Sequence, residues 1–229
     1  MAASGGTKAV VTALLANLGI AVTKFLAWIL TGSSSMLAEG VHSVADSSNQ
    51  VLLLIGGRRA QRQPSPTHQF GYGRARYVYA FVVSIVLFTL GGCFALYEAW
   101  HKWSDPHGID AWHWVPPLVL GLAIGMEAFA LRTAVKEANR VRGRLPWLRY
   151  IRRTRSPELP VILLEDTGAL VGLVFAMVAV GLTLLTGDGR WDAAGTAAIG
   201  VLLVIIAVFL AIEMASMLIG ESAVPEHHR

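Results

Sequence analysis

Residues 37–50 read LAEGVHSVADSSNQ and interrupt what is otherwise an apolar helix of membrane-spanning length. Glu39, His42, Ser43, Asp46 and Asn49 or Gln50 recur at steps of three and four, and on a helix that spacing stacks them on one face. An ionisable side chain costs about 3 kcal/mol at a bilayer centre, so such groups mark a pathway or a site. His42 and Asp46, one turn apart, form a two-point grip suited to a divalent metal. What other segments bring to that face decides whether the grip becomes a site.

Working outward, the 229 residues are 54% hydrophobic and 15% charged, with a mean hydropathy of +0.54. A soluble domain carries about a quarter charged residues. The expected fold is therefore an all-α integral membrane protein with six transmembrane helices. Their expected bounds are residues 8–31, 35–57, 77–100, 115–135, 159–185 and 193–217. Residues 1–220 form one transport domain in this reading, and 221–229 a short cytoplasmic tail. No strand signal appears, since a membrane β-barrel requires alternating segments of about ten residues. The single cysteine, Cys93, excludes an internal disulfide framework and is assigned to packing on the third span. The N-terminus lacks a cleavable leader pattern, so the first span is expected to act as the insertion signal.

Loop charge sets the expected orientation. The link RRAQRQPSPTHQFGYGRAR (58–76) and the link KEANRVRGRLPWLRYIRRTRSPE (136–158) hold most of the Lys and Arg. The links after spans one, three and five are neutral or balanced. By the positive-inside rule both termini are cytoplasmic. The same distribution accounts for the net charge of +4 without any nucleic acid and assigns the basic clusters to anionic lipid headgroups. The expected location is the plasma (inner) membrane.

At 1.5 Å per residue, Asp46 and Glu127 each lie roughly 18 Å from the cytoplasmic end of their helix, and Asp166 about 15 Å. Three carboxylates from three helices thus share a depth, and carboxylates gathered without a cation repel one another. A divalent ion or protons must belong to that arrangement, and imidazole with carboxylates suits zinc. The candidate ligands are His42, Asp46, Asp166 and Glu127. For His42 and Asp46 the competing reading is a helix–helix hydrogen bond; for Asp166, a pairing with Lys24 or a backbone group; for Glu127, a pairing with Arg132. Glu165 is rotated about 100° from Asp166 and cannot readily share its ion. Glu39 is read as an exit-path carboxylate, Asn17 as a hydrogen-bond donor or interhelical contact, and Lys24 as a snorkelling side chain near the outer end. His68, His227 and His228 are read as solvated. Gly91, Gly92, Gly195 and Gly200 suit either close packing within the bundle or a homodimer contact.

Several stretches carry a family resemblance: KFLAWILTGSSSMLAEGVHSVADSSNQ (24–50), PSPTHQFGYGRARY (64–77), VILLEDTGALVG (161–172) and LIGESAVPE (218–226). Together they are similar to the cation diffusion facilitators, within which the chain most resembles the branch that includes a mitochondrial zinc exporter. The resemblance implies six spans, with the first, second, fourth and fifth in a compact bundle and the third and sixth beside it. It implies exchange of zinc or a related divalent cation for protons, with His42 and Asp46 on span two and Asp166 on span five as ligands. The family's fourth ligand falls on Ile162 here, which leaves water, Glu127, Glu165 or nothing in that place. A carboxylate there would harden the set toward manganese or iron. Typical members continue into a cytoplasmic ferredoxin-like domain, whereas this sequence stops at Arg229, as a naturally short form or a truncated one.

The expected function is secondary active export of a divalent cation, zinc first, with protons as counter-ion and no permanently bound cofactor. The alternative is a non-transporting membrane scaffold or regulator with a degenerate metal site. An intramembrane hydrolase is excluded, because neither HExxH nor a nucleophile motif is present.

Overall fold

A computed structural model describes residues 3–109, 112–153 and 158–219. The chain is all-α among these residues, apart from an isolated two-residue bridge between Ser65 and His68. Long helices form over Ala3–Thr31 (α1), Ser34–Ala60 (α2), Val115–Arg142 (α5), Glu158–Thr186 (α7) and Arg190–Ile219 (α8). A sixth long rod runs over Ala75–Ser104 as α3 (Ala75–Val86), a π-helical turn (Leu87–Cys93) and α4 (Phe94–Ser104). The helices reach up to seven residues beyond the expected spans, most at the end of α5, which runs to Arg142 rather than 135. In the basic link after α5, a short helix, Trp147–Arg153 (α6), forms where a plain loop was expected.

Four of the rods are long and apolar enough to cross a membrane: Ala75–Ser104, Val115–Arg142, Glu158–Thr186 and Arg190–Ile219. The apolar part of α1 is shorter, Asn17–Thr31. Helix α2 has the length but not the apolarity, because its polar face dilutes it. A helix of that composition is stable in a bilayer only if neighbouring helices cover its polar face. The packing does this. Helix α2 lies against α1, α3 and α7, with further contacts to α8, while α5 packs on α1 and α7. Helix α8 lies against α7 and along the whole Ala75–Ser104 rod.

Glycines allow the closest approaches. A Cβ on Gly92 would lie 2.5 Å from Val204 Cγ2, and one on Gly200 would lie 2.8 Å from Leu96 Cγ, so the Ala75–Ser104 rod and α8 touch nearly backbone to backbone. Gly195 abuts Ala179 of α7. These glycines therefore serve packing within the chain. The main core gathers Met36, Leu53, Leu87, Leu120, Leu173, Ile199, Leu203 and Leu210. A smaller cluster sets Tyr150 of α6 against Ala134, Ala138 and Leu163, which closes one end of the α5–α7 pair. Arg142 stacks over Trp147 at 4.0 Å and ties α5 to the same short helix. Cys93 is exposed, so the expectation that it packs in the core is corrected: the π-helical turn rotates it off the buried side.

The link between α1 and α2 is a tight turn with an anchor from far along the chain. Gly32 ends α1 at φ +66°, where its N–H reaches Trp28 O at 2.7 Å, and Ser33 caps α2 by accepting from Met36 N. The fully buried Asp192, in the first turn of α8, then accepts from Ser33 Oγ (3.0 Å), Ser34 N (2.7 Å), Ser34 Oγ (3.2 Å) and Ser35 N (3.3 Å). A carboxylate at a helix N-terminus satisfies orphan N–H groups and complements the helix dipole. Thr196 Oγ1 lies 3.1 Å from both Ser34 Oγ and Ser35 Oγ. Replacing Asp192 with Ala strands several buried donors and is expected to destabilise the fold by about 2–3 kcal/mol, read as a lower unfolding midpoint in detergent; Asp192→Asn should fall in between.

Candidate metal centre

The polar face of α2 is buried from end to end: Glu39, His42, Ser43, Ser47 and Asn49 are all buried, and Asp46 is half-buried. His42 Nε2 lies 3.3 Å from Asp46 Oδ2 across one helical turn. Neither His42 nitrogen, nor Asp46 Oδ1, has a hydrogen-bond partner. No hydrogen bond from either side chain to another helix is formed by these atoms. Buried polar atoms without partners are rare, because each carries its desolvation cost uncompensated. Here three of them sit on two adjacent ligand-type side chains.

Asp46 opens onto a narrow cavity of about 10 Å³, room for about one water-sized occupant. Its polar lining comes from three helices: Asn17 and Lys24 of α1, Ser43 and Asp46 of α2, and Glu127 of α5, with Ala169 and Leu173 of α7 completing the wall. Glu127 thus shares a cavity with Asp46. Asp166 does not line it, although it lies within electrostatic reach of both Asp46 and Glu127. Among the described residues, no three His, Cys, Asp or Glu side chains come close enough to hold one ion between them. The structure therefore brings His42 to Asp46 and Asp46 to Glu127's cavity, and leaves Asp166 outside direct contact. Ile162 packs with apolar neighbours and offers no ligand.

Several expectations change on contact with this geometry. Lys24 does not snorkel. It is buried with Glu39, its Nζ 2.9 Å from Glu39 Oε2, and it donates to Ser43 Oγ at 2.8 Å. The ammonium finds full partners inside the bundle, which is a lower free energy than reaching for an interface about 10 Å away. Glu39 is consequently the counter-ion of a buried pair. Glu165 is turned from Asp166's direction toward α2, where its Oε1 accepts from Asn49 Nδ2 at 2.7 Å. His68 stacks on Tyr72 in the 61–74 loop, and His227 and His228 lie outside the described residues.

Two features behind the site had no sequence signal strong enough to find. One is the Asp192 anchor, which fixes the start of α2. The other is the π-helical turn, whose Gly91 packs closely behind His42; a Cβ there would lie 3.1 Å from Leu203 Cδ1 and 3.8 Å from His42 Nδ1. Such single π turns recur at functional sites because they displace one stretch of helix.

Residues 10–219 match the cation efflux transmembrane domain. This chain belongs to the cation efflux family. Its members are multi-pass membrane transporters, not enzymes. Over 225 residues it is 34% identical to the human protein named proton-coupled zinc antiporter SLC30A9, mitochondrial, an alignment covering 97% of this chain and 39% of that protein. It is 30% identical over 220 residues to metal tolerance protein C4 of Arabidopsis thaliana (94% of this chain, 47% of that protein). It is 28% identical over 166 residues to zinc transporter ZitB of Yersinia pestis (72% and 48%). The chain thus spans about two fifths to one half of the length of these relatives. Membership accounts for a polar face inside a multi-pass helical bundle.

The neighbourhood of Glu39 is tight enough to test. A Cβ on Gly172 of α7 would lie 2.9 Å from Glu39 Oε1. Gly172→Ala is expected to disturb the Lys24–Glu39 pair and lower stability by about 1–3 kcal/mol, seen as a reduced thermal midpoint, whereas Gly125→Ala, which meets open space, should not.

Proposed function

We propose that this chain is the transport domain of a secondary active exporter that moves a divalent metal cation, zinc first, out of the cytoplasm in exchange for protons. The observation that carries the reading is the pair of adjacent ligand-type side chains, His42 and Asp46, left with partnerless buried atoms beside a cavity shared with Glu127. The names of the relatives, a zinc antiporter and a zinc transporter, support the same cargo. His42, Asp46 and Asp166 bind the ion in this reading, with Glu127 as the fourth group. Imidazole and carboxylate must lose protons to ligate, so a metal and protons compete for the same atoms, and release of one prepares for the other. Asp166 reaches the site when α7 and α5 close toward α2, and rocking of these helices against the rest switches access.

The topology proposed is six crossings with both termini on the cytoplasmic side, from loop charge. Helices α1, α2, α5 and α7 act as the compact moving bundle, with the Ala75–Ser104 rod and α8 beside it. Residues 1–220 act as one domain, followed by a cytoplasmic tail over 221–229. The membrane assigned is the plasma (inner) membrane, and fractionation distinguishes it from the mitochondrial location in the human relative's name. Lipid headgroups contact the basic links, and a homodimer is a further proposal that cross-linking tests.

A second reading, a non-transporting scaffold, is favoured by Ile162 and by the absence of a three-ligand cluster among the described residues. Transport decides. His42→Ala and Asp46→Ala are each expected to reduce zinc uptake into inverted vesicles to background while the protein stays monodisperse. Proteoliposomes should show metal-dependent proton flux, and a series of zinc, manganese, iron and cadmium ranks the cargo. Wild-type protein that moves neither metal nor protons would sink the exporter reading.

A further inference from the structure

The Lys24–Glu39 pair sits beside the metal grip, and the groups around the ammonium have the composition of a cation site. Lys24 Nζ lies 2.9 Å from Glu39 Oε2, 2.8 Å from Ser43 Oγ and 3.4 Å from the Glu39 carbonyl oxygen. The other carboxylate oxygen, Glu39 Oε1, is buried and has no hydrogen-bond partner. One turn of α2 therefore sets three oxygens, from a carboxylate, a hydroxyl and a carbonyl, around a single positive charge, with the second carboxylate oxygen turned toward Gly172 of α7. No nitrogen or sulfur ligand takes part. Sets of this kind select hard cations such as calcium, magnesium or manganese, whereas the imidazole of His42 in the next turn suits zinc.

The two sets are not insulated from each other. Lys24, Ser43 and Asp46 line one cavity, and both His42 and Asp46 lie in the field of Lys24. A mobile hard cation held by Glu39 would repel any ion at His42 and Asp46, and cells hold such cations in large excess over zinc. A tethered ammonium removes that competition, because it cannot leave, cannot exceed one charge, and holds Ser43 and Glu39 in fixed positions.

We propose that Lys24 is a specificity-determining residue, whose ammonium permanently fills a hard-cation site built by Glu39 and Ser43 and so keeps calcium and magnesium from settling beside the His42–Asp46 grip. Its purpose rests on the exporter reading, while the site itself rests only on the contacts around Nζ. The test uses purified full-length chain and radioactive calcium in equilibrium dialysis at about 1 mM, the range of weak calcium sites. Wild type is expected to bind none, Lys24→Met about one ion per chain, and the Lys24→Met, Glu39→Gln double variant none. Lys24→Gln carries the same readout where the Met variant is not recovered. Should neither be monodisperse, calcium added during solubilisation is expected to restore both. Folded Lys24→Met or Lys24→Gln that binds no calcium overturns the proposal, as does the lack of rescue. In vesicles, millimolar calcium or magnesium should inhibit zinc uptake by Lys24→Met and leave wild type unaffected. If wild type moves no zinc, the exporter reading fails, and calcium binding still decides the site.

Discussion

Helix α2 is too polar to face lipid, and much of the structure follows from covering it. Its start is held by Asp192 of α8, its next turns by Lys24 of α1, and its middle by Glu165 of α7. Each partner comes from a different helix and each matches the local charge: an anion where the helix N–H groups are free, a cation opposite Glu39, an acceptor opposite the Asn49 amide. In a low-dielectric interior these matches fix which helix stands where more firmly than apolar packing, which is nearly the same against lipid as against protein. What remains without a partner on that face is confined to six atoms, three of them on His42 and Asp46 and one each on Glu39, Asn49 and Gln50.

The side behind His42 is built differently. There the Ala75–Ser104 rod and α8 approach through Gly91, Gly92 and Gly200, with almost no side-chain layer between them. Close backbone contact of this kind is stiff, since nothing larger than a hydrogen atom can be accommodated without a shift. Helix α5, by contrast, leaves most of its apolar window uncovered by the other helices and packs chiefly on α7. The candidate site thus lies between a glycine-lined seam and a helix with one face turned outward.

The sequence made the all-α membrane architecture readable because long apolar runs broken by basic links have few other meanings. The His42–Asp46 grip was equally readable, since i,i+4 spacing fixes the two side chains on one face whatever the rest does. Shared depth placed Asp46, Glu127 and Asp166 within electrostatic reach of one another, while Glu127 lines a cavity with Asp46 and Asp166 does not, because depth along a helix says nothing about the direction a side chain points. Lys24 was misread because position near a helix end suggests snorkelling, and only the three-dimensional pairing reveals Glu39 as its partner. Asp192 was illegible for the same reason, lying about 160 residues from the serines it holds. Pairings across such separations leave no local pattern.

The anchoring of α2 is lopsided. At the Ser33–Ser35 end a single carboxylate is shared by four hydrogen bonds, two of them from backbone N–H groups. Midway along the helix the Asn49–Glu165 bond joins two flexible side chains, and near Ala60 the hold among the described residues is packing alone, Gly56 against Tyr79 with Arg59 over the same ring. Displacing the serine turn breaks four bonds together, whereas the contacts farther along give way one at a time. The serine turn is therefore the all-or-none joint of α2, which fixes where the helix starts and the direction in which it sets out toward His42 and Asp46.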